Sequence, residues 1–196
     1  MTVMNILPKH IGLGIKMNMT DEEFQNYFPT VYPKMYTGKY GGIACGKGWF
    51  NILMLLSQNI QSHIDWKNSQ REREIAKFTA KEQGYEAALL FCQGKSKEPS
   101  DWDIERAQEM MEEDIIIPAK ITQVTIAQVK EKFGTLRFYY DGGDEYISGL
   151  VSLAESMSGV TCEECGAPGS HRDGGWIRTL CDTHEAELQA RRKINE

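Results

Sequence analysis

Apolar residues recur at helical spacing in the first part of the chain. Thr20 opens a stretch with the spacing of a capping box, in which its side chain accepts from the third helical amide and Glu23 reaches back to the Thr20 amide. Phe24 and Phe28 then fall on one face, and Pro29 is predicted to end the helix. Farther along, CGKGWFNILMLLSQNIQSHI is apolar on most faces, which predicts a central buried helix.

The pattern changes over residues 66–115, where polar and charged residues separate the apolar ones. Two amphipathic helices are predicted here, with a polar link at residues 94–99 between them. The second helix begins with another capping box, formed by Ser100 and Asp103. We interpret this section as a helical insertion that packs beside the core.

Alternation of apolar and polar residues replaces the helical period in KITQVTIAQVKEKFGTLRFYYDGG. It predicts a β-hairpin whose strands are joined through KEKFG by a connection of three to five residues. Val124 and Ile126 mark one strand, and Leu136 and Phe138 mark the other. DGGDE is interpreted as a turn and a helix cap, because it lacks the remaining oxygen ligands of a calcium loop.

A further helix follows the hairpin, with an apolar stripe that includes Met157. Gly159 suits a left-handed cap at the end of this helix. Together the elements predict a single α+β domain over residues 1–196, in which helices pack on a small antiparallel sheet. The helical insertion occupies residues 66–115, and residues 160–190 form a C-terminal element.

Composition narrows the functional classes. The chain has 196 residues, a hydrophobic share of 41% and a net charge of -6, so it is long enough to bury a core and too acidic for a general nucleic-acid coat. We find no secretory leader, and no run nears the ~20 apolar residues of a membrane span. Five cysteines, two of them isolated, fit a reducing compartment. These features predict a soluble cytoplasmic protein without a membrane partner.

The C-terminal element carries a paired ligand motif. Cys162 and Cys165 form a CxxC pair, and Cys181 and His184 form a CxxH pair. Two such pairs supply the thiolate and imidazole donors of a tetrahedral Zn²⁺ site of the zinc-ribbon or knuckle type. Two disulfides are the weaker interpretation in a reducing compartment. His171 is the competing nitrogen ligand.

This zinc site is predicted to be structural. Catalytic zinc keeps an open position for water, usually with three protein ligands, whereas four donors are available here. No glutamate stands in an HxE or HExxH arrangement beside a ligand, and Glu163 and Glu164 are expected at the surface. Since no nucleophile–base pair can be named either, we predict no catalytic residues and no enzyme.

Two other segments are candidates for binding an anionic ligand. Lys47, Gly48 and Trp49 stand at the start of the central helix, where free amides and the positive helix end attract phosphate or carboxylate. The alternative is a tight turn that places Trp49 in the core. On the hairpin, Arg137 and Tyr139 share the outward face and form a platform for a planar anion such as a nucleotide. The alternative there is an ordinary solvated strand.

Five segments together carry a resemblance to known sequences: CGKGWF, VKEKFGTLRFYYDGG, SLAESMS, TCEECGAPG and GGWIRTLCDTH. The chain resembles a group of uncharacterised small proteins of phage and bacterial genomes, which combine a CGxGW helix start, a VKEKFGxLRFY hairpin and a CxxC…LCxxH zinc knot. The match covers residues 43–60 and 123–184. It implies a zinc-containing accessory protein of phage type. The first 40 residues and the insertion depart from the group.

Three hypotheses for the function follow. The first is a non-catalytic binder of a small anionic ligand that counters bacterial defence by sequestering a nucleotide-derived signal. The second is an inhibitor that binds a host protein through the insertion, with Trp102, Met110 and Met111 at its surface; the alternative is that these three residues pack on the core. The third is nucleic-acid binding through basic residues of the C-terminal region, which the overall charge opposes. These basic residues are Arg172, Arg178, Arg191, Arg192 and Lys193.

Overall fold

The computed structural model of the chain describes residues 19–37, 40–173 and 175–194. Within this part of the chain the fold is α+β, as predicted, with six helices and two small sheets. The helices are α1 (Asp21–Val31), α2 (Phe50–Glu82), α3 (Tyr85–Gln93), α4 (Asp101–Glu112), α5 (Glu145–Ser158) and α6 (Asp182–Ile194). The strands are β1 (Ile43–Ala44), β2 (Thr125–Lys132), β3 (Thr135–Asp141), β4 (Ser170–Arg172) and β5 (Arg178–Leu180).

None of the described helices combines the length and the apolar character that crossing a membrane requires. The prediction about a secretory leader concerns residues 1–16, which lie outside the described residues.

The larger sheet has the strand order β1–β2–β3, with β1 parallel and β3 antiparallel to β2. The hairpin is confirmed, but its connection is shorter than predicted, because only Phe133 and Gly134 separate the strands. Both residues have positive φ, 53° and 77°. This combination lets a two-residue turn follow the right-handed twist of its strands. Lys132 and Thr135 therefore still pair next to the turn.

The first half of α2 is the centre of the hydrophobic core, as predicted. Its buried side chains form one cluster with aromatic residues of α1 and with the inner face of the larger sheet. The cluster includes Ile52, Leu53, Leu56, Ile60 and Ile64 of α2, Phe24 and Phe28 of α1, and Ile43, Ile126, Val129, Leu136 and Phe138 of the sheet. The capping box of Thr20 and Glu23 is present at the start of α1.

Side chains cover both edges of the larger sheet. At β1, the Gln25 side-chain amide donates to the Ile43 carbonyl (2.5 Å) and accepts from the Ile43 N–H (3.0 Å). At the opposite edge, two β3 amides donate to Glu155 Oε1 (3.0 Å) and Ser158 Oγ (2.8 Å). These edge groups are satisfied within the chain, so they are not left to pair with another strand.

The 66–115 section departs from the prediction at its start. α2 runs through residue 66 without a break and ends at Glu82, so the first predicted helix is in fact the second half of α2 followed by α3. No glycine or proline occurs within α2 to end it earlier. Gly84, with φ of 101°, separates α2 from α3. The capping box of Ser100 and Asp103 opens α4, as predicted.

A second, smaller hydrophobic cluster packs α3 and α4 together. It buries Ala88, Ala107 and Met110, and Met111 packs against it. Trp102 lies outside the cluster and is 63% exposed. Met110 therefore fills the small core, as the packing alternative predicts, whereas Trp102 remains at the surface.

Proline does not end α1 as predicted. Pro29 lies inside the helix, which runs to Val31. A proline removes one backbone donor, but the Tyr32 N–H still donates to the Phe28 carbonyl (2.8 Å) and keeps the last turn in place.

α5 begins as predicted and ends differently. Asp144 caps its start by accepting from the amide three residues on (3.1 Å), and it also contacts His63 Nε2 of α2 (2.9 Å). At the other end Gly159 has φ of -69° and donates to the Ser156 carbonyl (3.1 Å), so the predicted left-handed cap is wrong. Met157 is exposed and does not belong to the buried stripe. The His63–Asp144 contact joins α5 to the central helix.

Candidate metal centre

A tight turn after α5 places the first two candidate ligands, Cys162 and Cys165. Thr161 and Pro168 form an isolated bridge around this turn. The Gly166 N–H donates to the Cys162 carbonyl (2.8 Å). Gly166 has φ of 76°, a conformation that glycine adopts without strain. The bridge and the turn together place both cysteine side chains in one compact group.

The second pair of ligands comes from the start of α6. β5 pairs with β4 and returns the chain to the first turn, where the Glu163 N–H donates to the Thr179 carbonyl (2.9 Å). Cys181 follows β5 directly, and His184 lies in the first turn of α6. A short strand and a helix start therefore place the second pair of candidate ligands beside the first.

Four donor atoms lie within 4.8 Å of one another, and they belong to Cys162, Cys165, Cys181 and His184. The sulfurs of Cys165 and Cys181 are 3.8 Å apart, and His184 Nδ1 is 3.2 Å from the sulfur of Cys181 and 3.5 Å from that of Cys162. A tetrahedron with metal–sulfur bonds of ~2.3 Å and metal–nitrogen bonds of ~2.0 Å has edges of roughly 3.5–3.8 Å. The cluster is compatible with a metal site, and all of its cysteines are free of disulfides.

His171, the competing nitrogen ligand, is not part of this cluster. It lies on β4, and its Nε2 is 2.9 Å from the Phe133 carbonyl oxygen in the hairpin turn. Of the two candidate histidines, the structure brings only His184 to the cysteines.

Hydrogen bonding and burial act in opposite directions on two of the thiols. The backbone N–H of His184 lowers the pKa of Cys181 to about 7. Burial raises the pKa of Cys165 to about 11. Because the thiolate is the form that binds a metal ion, binding must release the proton of Cys165.

The glycines of CGKGW contact the first cysteine turn directly. The Gly46 N–H donates to Glu163 Oε1 (2.9 Å), and the Gly48 N–H donates to the Glu163 carbonyl (2.7 Å). Trp49 is fully buried, and its indole N–H donates to the Thr161 carbonyl (2.8 Å). A Cβ on Gly48 would lie 2.2 Å from a backbone oxygen of the turn, so the two segments approach this closely only with glycine.

Glu163 is only 5% exposed, so its predicted surface position is wrong. Its carboxylate extends to the start of α2, where it accepts from Gly46, and its Oε2 lies 3.6 Å from Arg178 Nη2. Burial raises the pKa of this carboxyl above its usual range, and the Gly46 N–H and Arg178 offset the effect only in part. Glu164 is exposed, as predicted, and forms an ion pair with Arg178.

The contacts of CGKGW match the tight helix start better than an anion site. Both glycine amides are already hydrogen-bonded to the first cysteine turn. Lys47 Nζ donates to the Met19 carbonyl (3.0 Å) and pairs with Asp21 (3.0 Å). Ligand binding by Lys47, Gly48 and Trp49 stays a prediction, and neither glycine amide is free to support it.

The hairpin turn contacts the C-terminal element from another side. Thr179 Oγ1 donates to the Gly134 carbonyl (2.6 Å), next to the His171 contact. Glu131 accepts from the Gly134 N–H (2.7 Å) and from the indole N–H of Trp176 (3.2 Å). The CGKGW segment, the hairpin turn and the cysteine–histidine pairs therefore meet at one place.

Arg137 and Tyr139 lie on the outward face of the hairpin, as alternation predicted. The three cross-strand pairs of this face nearest the turn, here called the outer face, are Gln128–Tyr139, Lys130–Arg137 and Lys132–Thr135. Tyr139 is 43% exposed, with Lys130 Nζ 5.3 Å from its ring centroid. Arg137 Nη1 donates to Thr135 Oγ1 (2.6 Å) and lies 3.9 Å from Glu155. Binding of a planar anion by Arg137 and Tyr139 stays a prediction.

A cleft of about 460 Å³ opens beside the start of α2, between the hairpin and the C-terminal element. Residues along it include Cys45, Glu131, Glu163, Trp176, Arg178 and Arg192. Trp176 is 68% exposed, whereas burial raises the pKa of the Cys45 thiol and keeps it protonated. The cleft combines an aromatic ring with two carboxylates and two guanidinium groups. Sequence reasoning did not select Trp176 or Glu131, because only the fold brings them together.

Three thiolates and one imidazole can complete a tetrahedral shell without water, which is the arrangement of a structural site.

Comparison of the chain with known protein families, with curated proteins and with solved structures gives no match.

Proposed function

We propose that the chain is a non-catalytic binding protein, that the Cys₃His cluster holds a structural Zn²⁺ ion, and that the cleft binds a small nucleotide-type ligand. Three thiolates and an imidazole form a soft donor set that suits zinc, and the donor separations support a tetrahedral ion. Protein atoms would fill all four positions. The role of the ion is then to hold the C-terminal element, which supplies two walls of the cleft.

The composition of the cleft carries the proposal. Its volume of about 460 Å³ falls within the roughly 300–1,000 Å³ of small-molecule sites. Trp176 offers an exposed ring for stacking, and Arg192 offers a cation for a phosphate group. The Glu131 carboxylate is an acceptor only, and its remaining lone pairs can take a hydrogen bond from a ligand N–H group in addition to those from Gly134 and Trp176. A nucleotide combines these features, because it has a planar ring, N–H donors and a phosphate.

The remaining charges of the cleft are held in place by one another. Arg178 pairs with Glu163 and Glu164, and the buried Glu163 is bound to the start of α2. These contacts fix one wall before any ligand binds, which lowers the entropic cost of binding.

Binding without turnover would amount to sequestration. In the phage-type context that the resemblance implies, the protein would act in the host cytoplasm and remove a nucleotide-derived signal of bacterial defence. The resemblance and the chemistry of the cleft support this step.

Isothermal titration calorimetry with ATP, GMP and cyclic di-AMP tests the ligand class. We expect saturable binding of at least one nucleotide, which Trp176→Ala weakens by about two- to tenfold through loss of stacking. Arg192→Ala should also weaken it, whereas Lys193→Ala, which changes a neighbouring cation of α6 outside the cleft lining, should not. Chromatography should recover the ligand unchanged. No binding of any of the three nucleotides, or formation of a product, would contradict the proposal.

Inhibition of a host protein is the second candidate, and the exposure of Trp102 and Leu90 favours it. It makes a different prediction in a phage-defence assay in cells. Trp102→Ala would abolish the biological effect while Trp176→Ala would leave it intact. The reverse result would exclude this candidate.

A further inference from the structure

Positive charge predominates on the outer face of the hairpin. Three of its six residues are cations, namely Lys130, Lys132 and Arg137, and the one acidic residue on the same side of β3 is Asp141, beyond Tyr139 and away from the turn. None of the six lines the cleft. Lys132 and Tyr139 are exposed, and Lys130 is half-buried, so the face is open to solvent. An anionic partner is favoured here although the chain as a whole has a net charge of -6.

Carboxylates near this face do not cover its lysines. Glu155 lies 3.9 Å from Arg137 and is occupied at the sheet edge, where it accepts from a β3 amide. Asp141 is at the far end of β3, opposite Thr125. The positive charge is therefore concentrated on the half of the hairpin near the turn.

Aromatic rings lie beside the cations. Lys130 Nζ is 5.3 Å from the ring centroid of Tyr139, and Lys132 Nζ is 5.4 Å from that of Phe133. Phe133 is 64% exposed at the turn. Phe133 lies in the turn, six positions before Tyr139 of β3, so the two rings are at most roughly 20 Å apart along the chain. Exposed rings interleaved with cations allow unpaired bases to stack while the phosphates between them are neutralised.

The sheet edges restrict how a partner can bind. Side chains of Gln25, Glu155 and Ser158 already satisfy backbone groups at the two edges. A peptide therefore cannot add a strand at these positions without displacing them. This leaves the outer face itself as the surface for a partner.

We infer that the outer face binds single-stranded nucleic acid, independently of the cleft. A small nucleotide would be held poorly here, because the face is a strand surface without enclosing walls. A duplex would engage the cations but leave the two rings without unpaired bases. An acidic peptide would likewise use only the charge.

Fluorescence anisotropy with labelled oligo(U) and oligo(dT) at low salt tests this inference. Tyr139→Ala should weaken binding by about five- to hundredfold, the range expected for loss of one stacked base, while Tyr139→Phe retains the ring and the affinity. Lys130→Ala should reduce the slope of log affinity against log salt by about 0.7, the value for one phosphate contact on a single strand. The two probes together show whether the 2′-hydroxyl matters.

Two controls make the result specific to this face. Lys97→Ala removes an exposed lysine of the 94–99 link and should leave binding unchanged. Arg192→Ala changes the cleft and should also leave oligonucleotide binding unchanged. Failure of the cleft proposal is therefore distinguishable from failure of the outer-face inference. Absence of oligonucleotide binding, tighter binding of the matching duplex, equal binding of polyglutamate, or full affinity of Tyr139→Ala would overturn the inference.

Discussion

Replacing Gly48 by alanine tests the contact between the start of α2 and the metal-binding turn. The new Cβ would lie 2.2 Å from the Cys162 carbonyl oxygen and 2.6 Å from the carbonyl group of Glu163. All of these are backbone atoms, so the two segments must separate by roughly 1 Å or more to reach contact distance. Such a shift would break the Gly48–Glu163 hydrogen bond (2.7 Å) and disturb the Trp49–Thr161 bond (2.8 Å).

The expected loss follows from these contacts. A hydrogen bond contributes about 1 kcal/mol, and a buried group left without its partner costs up to about 3 kcal/mol. Strain in a well-packed region adds about 1–3 kcal/mol. We expect Gly48→Ala to lower the free energy of unfolding by about 3–5 kcal/mol, a large part of the ~5–15 kcal/mol of a typical protein. Metal affinity should fall as well, since Cys162 takes part in both the clash and the metal cluster.

Urea unfolding followed by tryptophan fluorescence measures the first effect, and competition with a chromogenic chelator measures the second. Gly149→Ala is the matched control, because the same substitution in α5 meets no atom within 4 Å. There alanine should stabilise the protein by about 0.5–1 kcal/mol through its higher helix propensity. An unfolding free energy of Gly48→Ala within about 0.5 kcal/mol of wild type, the range of neutral surface substitutions, would refute the reasoning.

Two further predictions concern the metal ligands and the acid stability. Cys165→Ser should lose the metal, which mass spectrometry measures as zinc per chain. His171→Ala should retain it, because His171 lies outside the cluster. Equal metal content in the two variants would exclude this ligand assignment. Burial acts to raise the pKa of Asp144, whereas hydrogen bonds from His63 and from the start of α5 act to lower it. The hydrogen bonds together have the larger effect, so the folded pKa lies below the usual 3.8. The ionised Asp144 contributes to stability above pH 3.8, and this contribution is lost as the pH falls through the folded pKa. The difference in unfolding free energy between wild type and Asp144→Ala should therefore shrink over that pH window. A difference that does not change with pH would contradict this prediction.

The clustering of the four candidate metal ligands could be predicted from the sequence because each pair is local. Cys162 and Cys165 lie in one turn, and Cys181 and His184 lie at one helix start, so spacing alone indicates that each pair converges. The burial of Glu163 could not be predicted in this way. It depends on a contact with an amide 117 positions away in the chain. The glycines of CGKGW are interpreted from the sequence as an anion site or a tight turn, and neither interpretation identifies the cysteine turn as their neighbour.

The continuation of α2 past residue 66 shows a second limit. Apolar residues become fewer there because α2 extends beyond the main core. In the sequence, this loss of apolar residues resembles the end of a helix. Polar contacts support α2 beyond this point, including Asn68 with Ile121 (3.0 Å) and Arg71 with Pro118 (2.6 Å). Their partners follow the insertion in the chain, so no local pattern reveals them.

The contact between Gly46 and Glu163 has a consequence for synthesis on the ribosome. At about 5–20 residues per second, the 117 positions that separate the two residues take roughly 6 to 23 seconds to translate. By the end of that interval the nascent chain contains the central helix and the hairpin, but the segment that pairs with both is only then being made. If the Cys₃His cluster binds zinc, as proposed, a shortage of zinc would act mainly on newly made chains, which would meet proteases and chaperones before closing, while molecules that already hold the ion would persist.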